Sequence, residues 1–308
     1  MINMNFKKYI KNFGLKIFLI KAIRSKFYDN YSSLGIKLSL FNEKNIEKFL
    51  QKNIIRHIGF QEDKVNYINP KVKKNNVIWT MWWQGIDQAP PIVKACIRKL
   101  FINNPDKKII VITKDNFKQY VHLSSRILTL FENNNISFTH FSDIYRVNLL
   151  YLYGGVWVDS TVWTTQRIPN SVFTNDFFTI NTGIYTNDPS HGRWTTFFLE
   201  CKSQNKLMNF VRKSFDIYCN TYDMFMDYIL FDYFIDLAIK NNIDLHEMIN
   251  KIPKNNTAVF NLQNRLNDID FDYNDETTYL YKLTYKMKFN ENYKGQDTLY
   301  TKIIKDKV

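Results

Sequence analysis

The chain has 308 residues, 45% of them hydrophobic and 16% aromatic, and carries a formal net charge of +13. That apolar content is enough for one sizeable core and excludes an intrinsically disordered chain. Cys96, Cys201 and Cys219 are odd in number and far apart. They lack the spacing of a zinc site or a disulfide framework and read as reduced core thiols.

Positive charge is densest at the amino terminus, where Lys7, Lys8, Lys11, Lys16, Lys21, Arg24 and Lys26 precede the first acid, Asp29. Phe6, Ile10, Phe13, Ile17 and Ile20 recur at helical spacing, so a helix here carries an apolar stripe beside basic residues, weakened at Gly14. Two readings stand side by side: a helix lying on an anionic membrane surface, or one packed on the domain with its basic face in water. The apolar run between Lys16 and Lys21 is too short for a secretory signal, and no run reaches transmembrane length. The expectation is a cytoplasmic protein, peripheral on the inner face of the membrane. Residues 42–58 read as a capped helix, which makes 1–75 a basic helical extension and 76–308 the main domain.

The main domain opens with a strand over 77–83, followed by Gln84 and Gly85. Pro91 starts a helix at its first position, running to about Asn103. A strand is expected over 108–112, a short helix over 116–120 and another over 124–132. Residues 141–161, Phe-Ser-Asp-Ile-Tyr-Arg-Val-Asn-Leu-Leu-Tyr-Leu-Tyr-Gly-Gly-Val-Trp-Val-Asp-Ser-Thr, then read as helix, turn and buried strand. Ser142 is the expected N-cap with Asp143 in the first turn, Gly154 supplies the left-handed residue that ends the helix, and Val156-Trp-Val158 suits a central strand. Asp159 falls at the carboxyl end of that strand, the edge where ligands collect in open α/β sheets. A strand over 177–180 and helices over 205–219 and 223–240 follow, the second carrying Asp232 among apolar and aromatic residues. Strands alternating with helices predict an α/β fold with a mainly parallel sheet.

Four blocks together resemble the bacterial capsular polysaccharide synthesis family, and more distantly the DxD-containing glycosyltransferases of the initiating-mannosyltransferase type. They are the 141–161 segment; Ile78-Trp-Thr-Met-Trp-Trp-Gln-Gly85 with Ala89-Pro-Pro-Ile-Val-Lys-Ala-Cys96; Asp232-Tyr-Phe234; and Lys282-Leu-Thr-Tyr-Lys286. The resemblance spans residues 77–286 and implies a GT-A-like nucleotide-sugar-binding fold. It implies transfer of a sugar, with retention of configuration, from a nucleotide-diphosphate donor to a lipid-linked bacterial surface glycan. One departure concerns the metal. Asp159-Ser160-Thr161 has a hydroxyl where a DxD pair has its second carboxylate, so a Mn2+ or Mg2+ cofactor would rest on Asp159 with weakened affinity.

Each candidate residue has a structural alternative. The resemblance puts Asp143 and Arg146 at the donor nucleoside, whereas their spacing alone suits an intrahelical ion pair. Asp159 is assigned to catalysis, donor binding and metal, against a strand-end turn residue. Asp232 is assigned to catalysis because a carboxylate in an apolar helix is costly unless paired or facing a cleft. Gln84, Gly85, Gly155, Thr161 and Lys286 are assigned to donor binding, Lys286 as a cation for the pyrophosphate. His191, in a polar loop, is assigned weakly to the acceptor side. The basic charge also fits a nucleic-acid-binding protein, but no helix-turn-helix, zinc-finger or RNP signature is present, so nucleic acid is not an expected partner. A noncatalytic glycan- or membrane-binding protein on a transferase fold is the other alternative.

Overall fold

The computed structural model of the chain describes residues 6–27, 31–58, 69–271 and 278–307. Three helices come first: α1 (Phe6–Phe13), α2 (Leu15–Ser25) and α3 (Ser33–Asn53). Then follow β1 (Val77–Met81), α4 (Pro91–Asn103), β2 (Lys108–Ile112), α5 (Ser125–Glu132), α6 (Phe138–Tyr153), β3 (Gly155–Val158), β4 (Val162–Thr164), β5 (Phe177–Thr179) and β6 (Phe198–Cys201). Helices α7 (Lys206–Thr221), α8 (Leu230–Asn241) and α9 (Ile243–Asn250) precede β7 (Leu280–Lys282), a hairpin of β8 (Asn292–Tyr293) and β9 (Gln296–Asp297), and α10 (Leu299–Ile304).

The main sheet has the order β2-β1-β3-β6-β5. β1 is parallel to both β2 and β3, while β6 is antiparallel to β3 and to β5. Only β6 therefore runs against the others, and the sheet is mostly parallel, as the alternation of elements predicts. The period-two geometry of a strand sorts its side chains onto two faces. Val77, Trp79, Met81 and Trp157 join the core beneath α6, α7 and α8, whereas Ile78, Val156 and Val158 join a second core with Leu100 of α4, Val162 of β4 and Leu280 of β7. Both sheet faces are thus covered, as parallel strands require.

Several expected boundaries move. The cap of α6 is Ser137, whose hydroxyl accepts from the His140 amide, so Ser142 and Asp143 lie a full turn further inside than the sequence indicates. Helix α3 begins at Ser33, earlier than predicted, because the Ser32 hydroxyl accepts from the Gly35 amide. The helix expected from 223 begins only at Leu230; before it, the Met226 amide donates to the Tyr218 hydroxyl at 2.8 Å and pins the chain in a loop.

The amino-terminal helices share the main core. Gly14, at a φ of 87°, separates α1 from α2. Tyr9 and Phe13 are buried, the Tyr9 hydroxyl donates to the Met226 carbonyl at 2.9 Å, and Phe13 packs against Phe49 and Tyr222. Lys8 and Lys21 pair with Asp223 and Asp227 at 2.7 and 3.0 Å. Phe13 and Ile17 of the expected stripe therefore face protein. A different row, Leu15, Leu19 and Ile23, spaced four apart on α2, faces outward with about half of each side chain exposed.

Gly155 has a structural task at the start of β3, the end of the strand opposite Asp159. Its φ is 88°, and a Cβ there would run into the carbonyl oxygen of Val77 on β1. The glycine thus lets two central strands approach. Gly155→Ala is expected to cost ~2 kcal/mol or more, combining left-handed strain with a backbone clash. Gly295→Ala, at a φ of 82° with open space around it, should cost only ~1 kcal/mol. Denaturant melts of the two variants check this, and equal losses would refute the account of Gly155.

Candidate functional site

Helix α6, the turn at Gly154 and strand β3 fold back on one another, and their lengths set which residues meet. From Arg146 to the turn the helix rises roughly 12 Å at 1.5 Å per residue. From the turn to Asp159 the strand advances roughly 13 Å at 3.3 Å per residue. Arg146 therefore arrives beside Asp159, with Nη2 3.3 Å from Asp159 Oδ1 and 3.2 Å from Asp143 Oδ1. The same guanidinium donates to the Thr196 carbonyl and lies 4.7 Å from the centre of the Trp157 ring.

A second cation reaches Asp159 from far along the chain. Strand β7 pairs antiparallel with β4, setting Lys282 opposite Val162. Lys282 Nζ donates to Asp159 Oδ2 and to the Thr161 hydroxyl, both at 2.7 Å. The indole Nε1 of Trp157 donates to Asp159 Oδ1 at 2.8 Å. Burial works to raise the Asp159 carboxyl, but the Lys282 and Arg146 charges, with hydrogen bonds from Lys282 and Trp157, outweigh it and hold the group below the usual carboxylate range.

Two nearby carboxyls behave in the opposite way. Burial pushes Asp143 up to about 7, with Arg146 opposing and Asp159 reinforcing the shift. Burial also pushes Asp232 up to about 8, reinforced by Asp188 and Asp143 and opposed by a hydrogen bond from Trp194 Nε1 at 2.9 Å. The cluster thus contains one carboxylate held ionised and two whose affinity for protons is raised by burial, Asp232 more than Asp143.

These groups border a cleft of about 360 Å³, within the range of small-molecule sites. It is lined by Met81 at the end of β1 and Trp82 just beyond it; Phe138, Thr139, Ser142 and Arg146 of α6; Trp157, Asp159, Ser160 and Thr161; Tyr228; Phe260 and Gln263; and the segment Lys282-Leu-Thr-Tyr-Lys286. Arg146, Asp159, Thr161 and Lys286 of the expected residues come together there, with Asp143 behind Arg146. Asp232 lies one step further back, bonded to Trp194. Gln84 is exposed, and neither it nor Gly85 lines the cleft; Trp82 of the same loop does. His191 also lies outside the lining. Its ring stacks on Tyr185, donates from Nδ1 to the Thr186 carbonyl at 3.1 Å, and sits 3.4 Å from Glu43.

Sequence reading named the Lys282-Leu-Thr-Tyr-Lys286 block but chose Lys286 as its cation. Lys282 is the residue that touches Asp159. The usable signal was its place in a short strand opposite Val162, which only the pairing with β4 reveals. For a divalent ion, the Asp159 and Thr161 oxygens are already engaged by protein donors. Among the described residues the three-carboxylate group with metal-like spacing is Glu43, Glu47 and Asp236. Lys240 sits on it, 2.6 Å from Asp236 and 2.9 Å from Glu47, making it an ion-pair network.

A raised carboxyl pKa means that the native state binds more protons than the unfolded chain. The stabilisation from protonated Asp232 is therefore complete below its ordinary value of 3.8 and is lost as pH rises through about 8. Asp232→Asn, which keeps an acceptor for Trp194, is expected to gain stability relative to the parent as pH rises from about 5 to about 9. Thermal melts across that range check it, and parallel curves would refute it.

No curated protein matches the sequence significantly. A family model does match, over residues 30–303, which takes in α3, the whole sheet, the cleft and nearly all of α10. With a carboxylate clamped at the carboxyl edge of the sheet and that match covering most of its length, the chain belongs to the capsular polysaccharide synthesis protein family.

Proposed function

We propose that the chain is a GT-A-like glycosyltransferase of capsule biosynthesis, moving a sugar from a nucleotide-diphosphate donor to a lipid-linked surface glycan with retention of configuration. The observation that carries this reading is the cleft itself, where one ionised carboxylate and the cations Arg146, Lys282 and Lys286 meet beside aromatic side chains. A diphosphate matches the cations, and a base matches the faces of Trp82 and Tyr285, whose rings meet edge to face at 5.4 Å.

In the reaction the bond from the anomeric carbon to the diphosphate oxygen breaks, and its electron pair leaves with the diphosphate. The acceptor hydroxyl oxygen forms the new bond to that carbon, and its proton passes to the departing diphosphate. Negative charge grows on the leaving group, so fixed cations stabilise the transition state more than the ground state. Asp159 holds Lys282 and Arg146 in place for that task. Asp143 and Asp232 act from behind the cleft wall, Asp143 against the Arg146 guanidinium and Asp232 against the Trp194 indole.

The acceptor side of this proposal places the protein at an anionic membrane surface. Leu15, Leu19 and Ile23 face outward on α2, with Lys16 near its start and Lys26 just past its end both exposed. Apolar residues flanked by lysines suit an interfacial contact. Among the described residues no helix is long and apolar enough to cross a membrane.

Melting the protein with UDP, GDP, CDP and dTDP sugars tests the donor reading, since a ligand of the native state raises the melting temperature. One nucleotide class should respond, and Lys286→Ala, an exposed residue on the rim, should weaken it about tenfold. A response to none would sink the proposal; binding without transfer or hydrolysis would mark a noncatalytic binder. For the membrane, the double variant Leu19→Glu, Ile23→Glu is expected to lose flotation with phosphatidylglycerol vesicles at unchanged melting temperature. Undiminished flotation would refute this face.

A further inference from the structure

We infer that the Lys282 ammonium occupies the place of a divalent cation, so that the cleft takes a nucleoside diphosphate without metal. The inference rests on the donor reading above and specifies how that donor is held. Lys282 Nζ lies 2.7 Å from both Asp159 Oδ2 and Thr161 Oγ1, the two positions that would bracket a metal ion in a two-carboxylate site. A divalent ion at that point would sit against a positive charge and would find one carboxylate where it needs several oxygens. The other oxygen of that carboxylate is already bonded to Trp157 and faces Arg146.

The lysine is built into its position. Its amide donates to the Val259 carbonyl and the Leu283 amide donates to the Thr161 carbonyl, each at 2.8 Å, so the backbone is fixed on both sides. Its ammonium lies 5.2 Å from the centre of the Phe197 ring, and the side chain is four-fifths buried. An ammonium has three donors. Asp159 and Thr161 take two, and the residue lines the cleft, which leaves the third for a phosphate oxygen. Thr161 fits this scheme better than an acid would: a hydroxyl accepts from the lysine without cancelling the charge meant for the diphosphate.

Calorimetric titration of the full chain with UDP, GDP, CDP and dTDP, in EDTA and again in excess Mn2+, tests the inference. The expected result is one responding nucleotide with a Kd equal within twofold in the two buffers. Lys282→Ala should weaken binding in EDTA at least tenfold, Lys282→Arg should recover part of it, and circular dichroism of each variant shows whether it is folded. The combined change Lys282→Ala, Thr161→Asp should make binding depend on Mn2+. Binding by the parent only in Mn2+ would overturn the resident-lysine inference while leaving the donor reading intact. An unchanged Kd in folded Lys282→Ala would overturn it as well. Binding of no nucleoside diphosphate in either buffer would overturn both.

Discussion

The geometry of the cleft depends on one ion-pair arrangement, the Asp159 carboxylate held between Lys282 and Arg146. Each partner comes from a different part of the fold. Asp159 ends a central strand, Arg146 projects from the helix that precedes it, and Lys282 comes from a strand paired outside the main sheet. Charges withdrawn from water are unfavourable unless they are matched and hydrogen-bonded. Here Trp157, Thr161 and Thr196 supply further hydrogen bonds, and Arg146 Nε is the one buried donor of the cluster left without a partner among the described residues. The result is a cluster of charges that the fold itself holds in fixed positions.

The surrounding fold serves that arrangement. The return of α6 onto β3 through Gly154 matches helix rise to strand advance, and Gly155 lets β3 lie close to β1. Trp79 reinforces the same corner, its indole Nε1 donating to the Gly154 carbonyl at 3.0 Å. Aromatic residues then fill the space between sheet and helices, among them Tyr145 and Tyr153 on α6 and Tyr218 on α7, all fully buried. The high aromatic content read from composition is thus core first; at the cleft, Trp82, Phe138, Tyr228, Phe260 and Tyr285 are the exceptions, and the buried Trp157 belongs to both core and cleft.

Much of this was legible in the sequence. Pro91 at the head of α4, Gly154 at the end of α6 and the β-branched run before Asp159 are local signals, and local signals fixed those elements. Strand β6 was missed because Phe198-Leu-Glu-Cys201 is buried on both faces and includes Glu200, which burial pushes up to about 9; no alternation marks it. Choosing between Lys282 and Lys286 required the register of a three-residue strand, and register is set by the partner strand. The amino-terminal stripe was seen but its direction was not, since a helix with apolar residues on two sides does not say which side meets protein. His191 was drawn to the site by its polar loop, whereas a carboxylate on α3 holds it elsewhere.

The pairing of β4 with β7 carries a consequence for how the protein comes into being. Lys282 and Asp159 are 123 residues apart in the chain, so the contact that completes the cleft closes a very long loop. During synthesis, at ~5–20 residues per second, α6 and β3 are available well before β7 has been made. A nascent chain released early would therefore carry Asp159 and Arg146 without their second cation, and the cleft would lack the charge its geometry is arranged to present. The ion-pair arrangement at Asp159 is thus completed late in synthesis, once β7 has joined β4.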